Sequence, residues 1–177
     1  MADPAPSGLT GPGPSGRRPE RLSADVTDVA DRAAVAALLG REPQGAFVVV
    51  VRDEHGAPAV IRNAPLLDDG TPMPTRYWLV SPALNAAVGR LEAAGGVRRA
   101  EREVPADVLA DAHLRYAEER DAALPPGHAG PAPSGGVGGT RQGVKCLHAH
   151  YAWHLAGGDD PVGRWVADQL QQPSERA

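Results

Sequence analysis

Hydrophobic and polar residues follow two different periods along the first part of the chain, and each period predicts one type of element. Residues 27–40 carry apolar side chains at helical spacing and end in Gly40, which is typical of a helix C-terminus. The stripe that this helix is predicted to bury consists of Val29, Ala33, Ala36, Ala37 and Leu39. Residues 47–51 are apolar, and residues 58–64 follow them after a turn at 53–56. This pattern predicts a hairpin whose first strand is covered on both faces.

Further along the chain the same signals alternate between strand and helix. Residues 75–80 predict a third strand. Ser81 followed by Pro82 predicts the start of a helix, because serine is a good N-cap and proline suits the first helical position. That helix is expected to end at Gly95. We interpret residues 97–103 as a short further strand.

The last part of the chain predicts three helices. Residues 105–124 form the first, whose charged residues 118–121 are expected on its solvent face. Its inward positions are Leu109, Ala112 and Tyr116. Residues 144–158 and 159–170 predict the other two. The order of elements indicates an α+β domain, with a small, mainly antiparallel sheet packed against helices.

Two segments rich in glycine and proline divide the chain. Residues 1–21 cannot bury much apolar surface and are predicted to be a disordered tail. Residues 125–143 predict a flexible linker inside the domain, since it is long for a loop. The remainder, residues 22–172, is expected to form a single domain.

Composition and charge exclude several classes of function. The net charge of -4 provides no general basic field, so we expect no nucleic-acid partner. No apolar run reaches the roughly 20 residues of a membrane helix, and the N-terminus lacks the apolar core of a signal peptide. One cysteine cannot form an internal disulfide. We therefore expect a cytoplasmic protein without a membrane partner.

The segment 143–163 holds the strongest candidate chemistry, because it contains the single cysteine and three of the six histidines. If the segment is helical, Cys146, His150 and His154 share one face at a spacing of four. If its first residues are extended, Cys146, His148 and His150 share a face instead. Either arrangement offers ligands for zinc. The alternative is an ordinary packed helix, since buried cysteine and histidine are common.

The same residues are candidates for catalysis. Cys146, His148 and His150 form the candidate set, with Cys146 as nucleophile and His150 as its base. A predicted helix start lowers the pKa of a neighbouring thiol in general. Lys145 would hold an anionic group of the substrate.

A loop with the sequence DGTP adds Asp69 and Thr71 as candidate ligand-binding residues, and an ordinary turn is the alternative. The sequence contains none of the common phosphate-binding, dinucleotide-binding or hydrolase motifs, and no paired CxxC.

Two long stretches resemble a bacterial protein family. They are DGTPMPTRYWLVSPALNAAVGRLEA and GVKCLHAHYAWHLAGGDDPVG, in this order. Together they are similar to domain-of-unknown-function family 501, from about Asp28 to Leu170 without the linker. The resemblance implies a small cytoplasmic protein with no assigned activity. It also implies a gene beside those of a septum formation initiator and an exopolyphosphatase-type phosphatase.

The resemblance bears on the metal site as well. The family pattern often has a cysteine where this chain has Asp53, and sometimes has another where it has Ser81. If the family site is a multi-cysteine zinc centre, Asp53 could still bind the metal with an oxygen in place of a sulfur, and the affinity for zinc should be lower. Cys146, His148 and the DGTP loop match the pattern, so the resemblance implies a site there.

Two functions follow as hypotheses. The first is a non-catalytic accessory or regulatory protein in cell division or polyphosphate metabolism. Such a protein is expected to bind a protein partner through an exposed apolar patch, for which Trp153 and Trp165 are candidates. The second is a small enzyme or zinc-binding protein with a Cys/His site at 146–150 and a small anionic ligand. Whether the protein is an enzyme stays open at this point.

Overall fold

The computed structural model describes residues 27–172. The predicted disordered tail, residues 1–21, lies outside the described residues. Within 27–172 the chain forms six α-helices, three β-strands and one 3₁₀ turn. In chain order these are α1 (Val29–Leu39), β1 (Phe47–Arg52), β2 (Pro58–Asn63), β3 (Tyr77–Leu79), α2 (Pro82–Ala93), α3 (Gly96–Glu103), α4 (Ala106–Asp121), the 3₁₀ turn (Val137–Gly139), α5 (Leu147–Leu155) and α6 (Pro161–Gln171).

The described strands form one antiparallel sheet in the order β1-β2-β3, so β2 is central. Val60 and Ile61 are neighbours on β2 and therefore point to opposite faces of the sheet. Ile61 packs with Val35 of α1, while Val60 belongs to the larger core that α2–α6 share with β2 and β3. The prediction of an α+β domain with a small antiparallel sheet packed against helices is confirmed, and helices cover both faces of that sheet.

Burial in the hairpin and in α1 differs from the sequence prediction. β1 is an edge strand and is mostly half-buried, whereas central β2 is nearly all buried. The apolar run of residues 47–51 therefore does not mean cover on both faces. In α1 the buried residue is Val35, and the predicted stripe is wrong because Val29 is 85% exposed. Val35, Leu38 and Leu39 pack toward the sheet, whereas most of the alanines of this helix face outward.

Residues 97–103 form helix α3, so the predicted further strand is wrong. Val97, Ala100 and Val104 pack inward at a spacing of three and four, which is a helical period. Gly95 has a φ of 80° and lets the chain turn from α2 into α3 without a longer loop. In the sequence, the arginines between these few apolar residues make the helical pattern of α3 difficult to recognise.

The charged end of α4 is only partly a solvent face. Glu118 and Asp121 are exposed as predicted, but Arg120 is only 1% exposed. Glu119 accepts hydrogen bonds from Arg76, from the Tyr77 hydroxyl and from Trp153 Nε1. Burial, together with the bond to Glu119, raises the pKa of Tyr77 well above its ordinary value, so that Tyr77 remains a donor. The end of α4 thus joins β3 to α5.

The segment predicted to be a flexible linker has a packed centre. Val137 is fully buried and belongs to the main core. The buried Arg120 donates to the carbonyl oxygens of residues 133–135, at 2.7 Å for Gly135. We call residues 133–144 the strap, because they cross α4 on the way to α5. Flexibility stays a prediction for the exposed remainder of residues 125–143.

Candidate functional site

Cys146 and His148, predicted from the sequence as site residues, line one pocket of about 210 Å³. Cys146 has extended backbone geometry at the N-cap of α5, so the helix begins one residue later. Tyr77, Trp78 and Leu79 of β3 form much of the wall. We call this cavity the Cys146 pocket, and its surface is mainly apolar.

His148 is held away from catalytic contact with the thiol. Its Nδ1 lies 3.1 Å from Glu92 Oε1, and its Nε2 lies 3.3 Å from the carbonyl oxygen of Asn85. Glu92 also accepts from the backbone N–H of Leu147 at 2.6 Å, so it caps α5 from the neighbouring helix α2. Both ring nitrogens of His148 therefore face oxygen acceptors of α2 rather than Cys146.

His150 points elsewhere in the fold. It is 1% exposed, and its Nδ1 lies 2.8 Å from Oδ2 of Asp160, which is itself fully buried. Asp160 uses Oδ1 to cap α6, accepting from the backbone of Val162 and Gly163. His150 thus connects α5 to the start of α6, and the structure does not pair it with Cys146 as a base.

The remaining predicted site residues lie in separate places. Asp53 is exposed and accepts from His55 and Ala57 inside the β1–β2 turn. Asp69 accepts from the backbone N–H of Thr71, and this bond holds the pKa of Asp69 below its ordinary value. Lys145 donates to the carbonyl of Gly138 at 3.2 Å. The arrangement of Asp69 and Thr71 is the ordinary turn that the sequence left as an alternative for the DGTP loop.

The candidate zinc ligands do not converge. Across residues 27–172, no group of three histidine, cysteine, aspartate or glutamate side chains is placed to hold a metal ion. Cys146 and His148 share a pocket, but Asp53 caps a turn and His150 is bonded to Asp160. A structural zinc site needs four such ligands in tetrahedral geometry.

A second and larger pocket lies where α3 and α4 meet the strap. Its volume is about 330 Å³. Its apolar lining, which we call the floor, consists of Val104, Ala106, Leu109 and Ala110, of which Val104 and Leu109 are buried and the two alanines are exposed. His113 of α4 forms its inner wall, and we call it the His113 pocket. The sequence pointed to none of these residues as part of a site.

The rim of the His113 pocket is polar. Arg141 lies on it with an exposed guanidinium, for which the described residues provide no hydrogen bond or ion pair. Glu101 lies on the same rim, but its Oε1 accepts from the backbone N–H of Val144 at 2.9 Å. Gln142 and Gly143, which belong to the strap, form the rest of the rim. An unpaired cation above an apolar floor is suited to a ligand with one anionic group.

His113 clamps the strap at two points. The backbone N–H of Val137 donates to Nδ1 at 3.0 Å, and Nε2 lies 3.0 Å from the carbonyl oxygen of Gly143. Since Nδ1 accepts, the hydrogen of the neutral ring is on Nε2, which donates to Gly143. Burial lowers the pKa of His113, and the neighbouring His150 lowers it further, so the neutral ring is favoured.

The strap fits this place because of its glycines. A Cβ on Gly136 would lie 2.4 Å from Cβ of His113, and one on Gly143 would lie 2.6 Å from Oε1 of Glu101. Gly143 also has a φ of 64°, which other residues rarely adopt. The glycine-rich composition that suggested a linker is thus what allows close packing against α3 and α4.

A sequence comparison identifies the family. The profile of a family described as a protein of unknown function, DUF501, matches residues 49–168, which is more than half of the chain. The chain belongs to the DUF501 family. The resemblance found in the sequence is therefore confirmed. No curated protein and no solved structure matches the chain.

Both pockets lie inside the part of the chain that the DUF501 profile matches. The family description names no activity. None of the helices in residues 27–172 is long and apolar enough to cross a membrane. Trp153 and Trp165 are 3% and 8% exposed, so the apolar patch predicted around them is not on the surface.

Proposed function

We propose that this DUF501 protein is a cytoplasmic, non-catalytic accessory or regulatory protein that binds a small organic anion in the His113 pocket. The observation that carries the proposal is the combination of the Arg141 guanidinium, which has no bond within residues 27–172, with an apolar floor in a cavity of about 330 Å³. Small-molecule sites commonly combine a mostly apolar lining with a few polar groups that fix orientation.

The charges around the pocket narrow the class of ligand. Arg141 favours a carboxylate, which a guanidinium can bind through two parallel hydrogen bonds. Glu101 on the same rim repels ligands with several negative charges. The apolar floor favours a hydrocarbon body. A monocarboxylate with a short aliphatic or aromatic body fits all three features.

The lining groups favour binding over chemistry. Nine residues between 101 and 143 line the pocket, and none of these nine is a serine, threonine, cysteine or lysine that could act as a nucleophile. Both nitrogens of His113 are engaged by the strap backbone, so the ring has no position left to act as a base. A link to cell division or polyphosphate metabolism is part of the proposal, and its support is the gene neighbourhood that the family resemblance implies.

Calorimetric titration of the full chain with butyrate, benzoate and inorganic phosphate tests the proposal. Benzoate or butyrate should bind at one site, and phosphate should bind more weakly. Arg141→Gln should weaken carboxylate binding about tenfold or more, because a hydrogen bond to a charged group is worth about 1.5–3 kcal/mol. Ala110→Phe, which fills the floor, should abolish it.

Arg90→Gln is the matched control, since Arg90 is an exposed arginine on α2 away from the pocket lining. It should leave the affinity unchanged. The proposal fails if neither carboxylate binds, or if Arg141→Gln and Arg90→Gln bind benzoate as the wild type does.

A further inference from the structure

We infer that His113 is a pH-sensitive latch, which holds the strap closed over the His113 pocket when its ring is neutral and releases it on protonation. The inference goes beyond the proposed function, because the latch acts on the strap whether or not an anion binds. Its basis is the position of one ring between two backbone groups of the strap, Val137 N–H and the Gly143 carbonyl.

Protonation changes one of these two contacts and not the other. Nε2 carries a hydrogen in both forms of the ring and can donate to Gly143 throughout. Nδ1 accepts from Val137 only while it has no hydrogen. A second proton on Nδ1 would point at the N–H of Val137, so two donors would face each other inside the protein. The closed strap therefore requires the neutral ring.

The charged groups around His113 come from every element packed against it. α5 contributes His150, whose ring centroid lies 5.7 Å from that of His113, and α6 contributes Asp160. Glu101 of α3 and Arg141 of the strap face the same pocket. The Asp160 carboxylate contacts His150 and accepts from the backbone N–H groups at the start of α6, and it makes no hydrogen bond to His113. Burial lowers the pKa of His113 and His150 lowers it further, and together they outweigh the hydrogen bond to Gly143 and the charge of Asp160, which raise it.

The direction of the pH effect follows from this lowering. In an open strap the ring of His113 is solvated and has an ordinary pKa of about 6.5. As the pH falls below that value, the open form takes up a proton and the closed form does not. The open-to-closed ratio then rises by up to about tenfold per pH unit until the lowered pKa of the closed form is reached.

The strap has two further anchors that do not involve His113, so opening is local. Arg120 holds the carbonyl oxygens of residues 133–135. Glu101 holds Val144 at the other end. Residues 136–143 lie between these anchors, with Val137 in the main core and Gly138 bonded to Lys145, and they contribute Arg141, Gln142 and Gly143 to the rim of the pocket. Release of His113 therefore widens the mouth of the pocket without detaching the strap.

Amide hydrogen exchange of residues 136–143 between pH 7.5 and 5, without any anion, tests the latch. After correction for the intrinsic exchange rate, the opening constant should rise about tenfold per pH unit below pH 6.5. His113→Asn keeps an acceptor near the position of Nδ1 but cannot take up a proton, so its profile should be flat. His128→Asn is the control, because His128 contacts Pro131 and not the strap. Its profile should match that of the wild type.

A flat wild-type profile, or a pH dependence that persists in His113→Asn, would overturn the latch. If His113→Asn does not fold, ring ¹⁵N shifts of the wild type decide instead. These shifts should show a hydrogen on Nε2 alone at pH 7.5. The His113 ring should take up its second proton over the same pH range in which amide exchange of residues 136–143 begins to rise. A doubly protonated ring at pH 7.5 would contradict the inference. Because no anion is added, failure here is distinct from failure of the binding titration.

Discussion

At the scale of single residues, the apolar pattern of α4 predicts which of its positions are buried, but it does not predict what the buried polar groups of this helix bind. Leu109, Ala112 and Tyr116 were predicted to face inward and are buried. His113 and Arg120 continue the same face at helical spacing, so their burial follows from the same pattern. Arg120 also pairs with its neighbour Asp121, but the other partners of the two side chains are backbone groups of the strap, which have no signature in the side-chain sequence. For this reason the His113 pocket was missed, while Cys146 and His148 were noticed.

The glycines of the strap provide a test at this scale. Gly136→Ala should lower the free energy of unfolding by about 1–3 kcal/mol, because the added methyl group would lie against the His113 ring. Gly89→Ala in α2 is the matched control, since a Cβ there meets nothing within 4 Å. It should raise the free energy of unfolding by up to about 1 kcal/mol through helix propensity. Urea denaturation measures both, and equal effects of the two substitutions would contradict the packing of the strap.

At the scale of elements, caps and turns were predictable where a local signal exists. Ser81 with Pro82 begins α2 and Gly40 ends α1, as the sequence predicts, and Asp160 with Pro161 begins α6 through the same type of signal. Helix α3 was missed because its buried side is short, and its identity depends on packing against α2 and α5. The start of α5 is capped by Glu92 from another helix, which no local pattern could indicate.

Two helix caps of the same type should differ in strength because of burial. Asp28 caps exposed α1, whereas Asp160 caps α6 and also accepts from the buried His150. Asp28→Ala should cost about 1 kcal/mol of unfolding free energy. Asp160→Ala should cost about 2–4 kcal/mol, since it also leaves His150 Nδ1 without an acceptor. Chemical denaturation compares them, and a cost of Asp160→Ala no larger than that of Asp28→Ala would be inconsistent with the buried pair.

At the scale of the whole molecule, the class of fold was predictable and the arrangement around the sheet was not. The order of helices and strands leads to an α+β domain, and the short turn between β1 and β2 fixes an antiparallel hairpin. Helix α1 covers the second face of the sheet, and the strap crosses back over α4. Both features depend on contacts between distant parts of the chain. The larger pocket is formed by these distant contacts, so it appears only in the folded structure.

The measurement that tests the central claim most directly is a ¹H–¹⁵N shift titration of the labelled full chain with benzoate. Our account predicts saturable shifts at Ala110, Arg141 and Gly143, which line the His113 pocket, and their loss in Arg141→Gln. Shifts that cluster at Trp78 and His148, around the Cys146 pocket, would contradict it and favour the Cys/His site instead. The absence of any saturable shift would also contradict it.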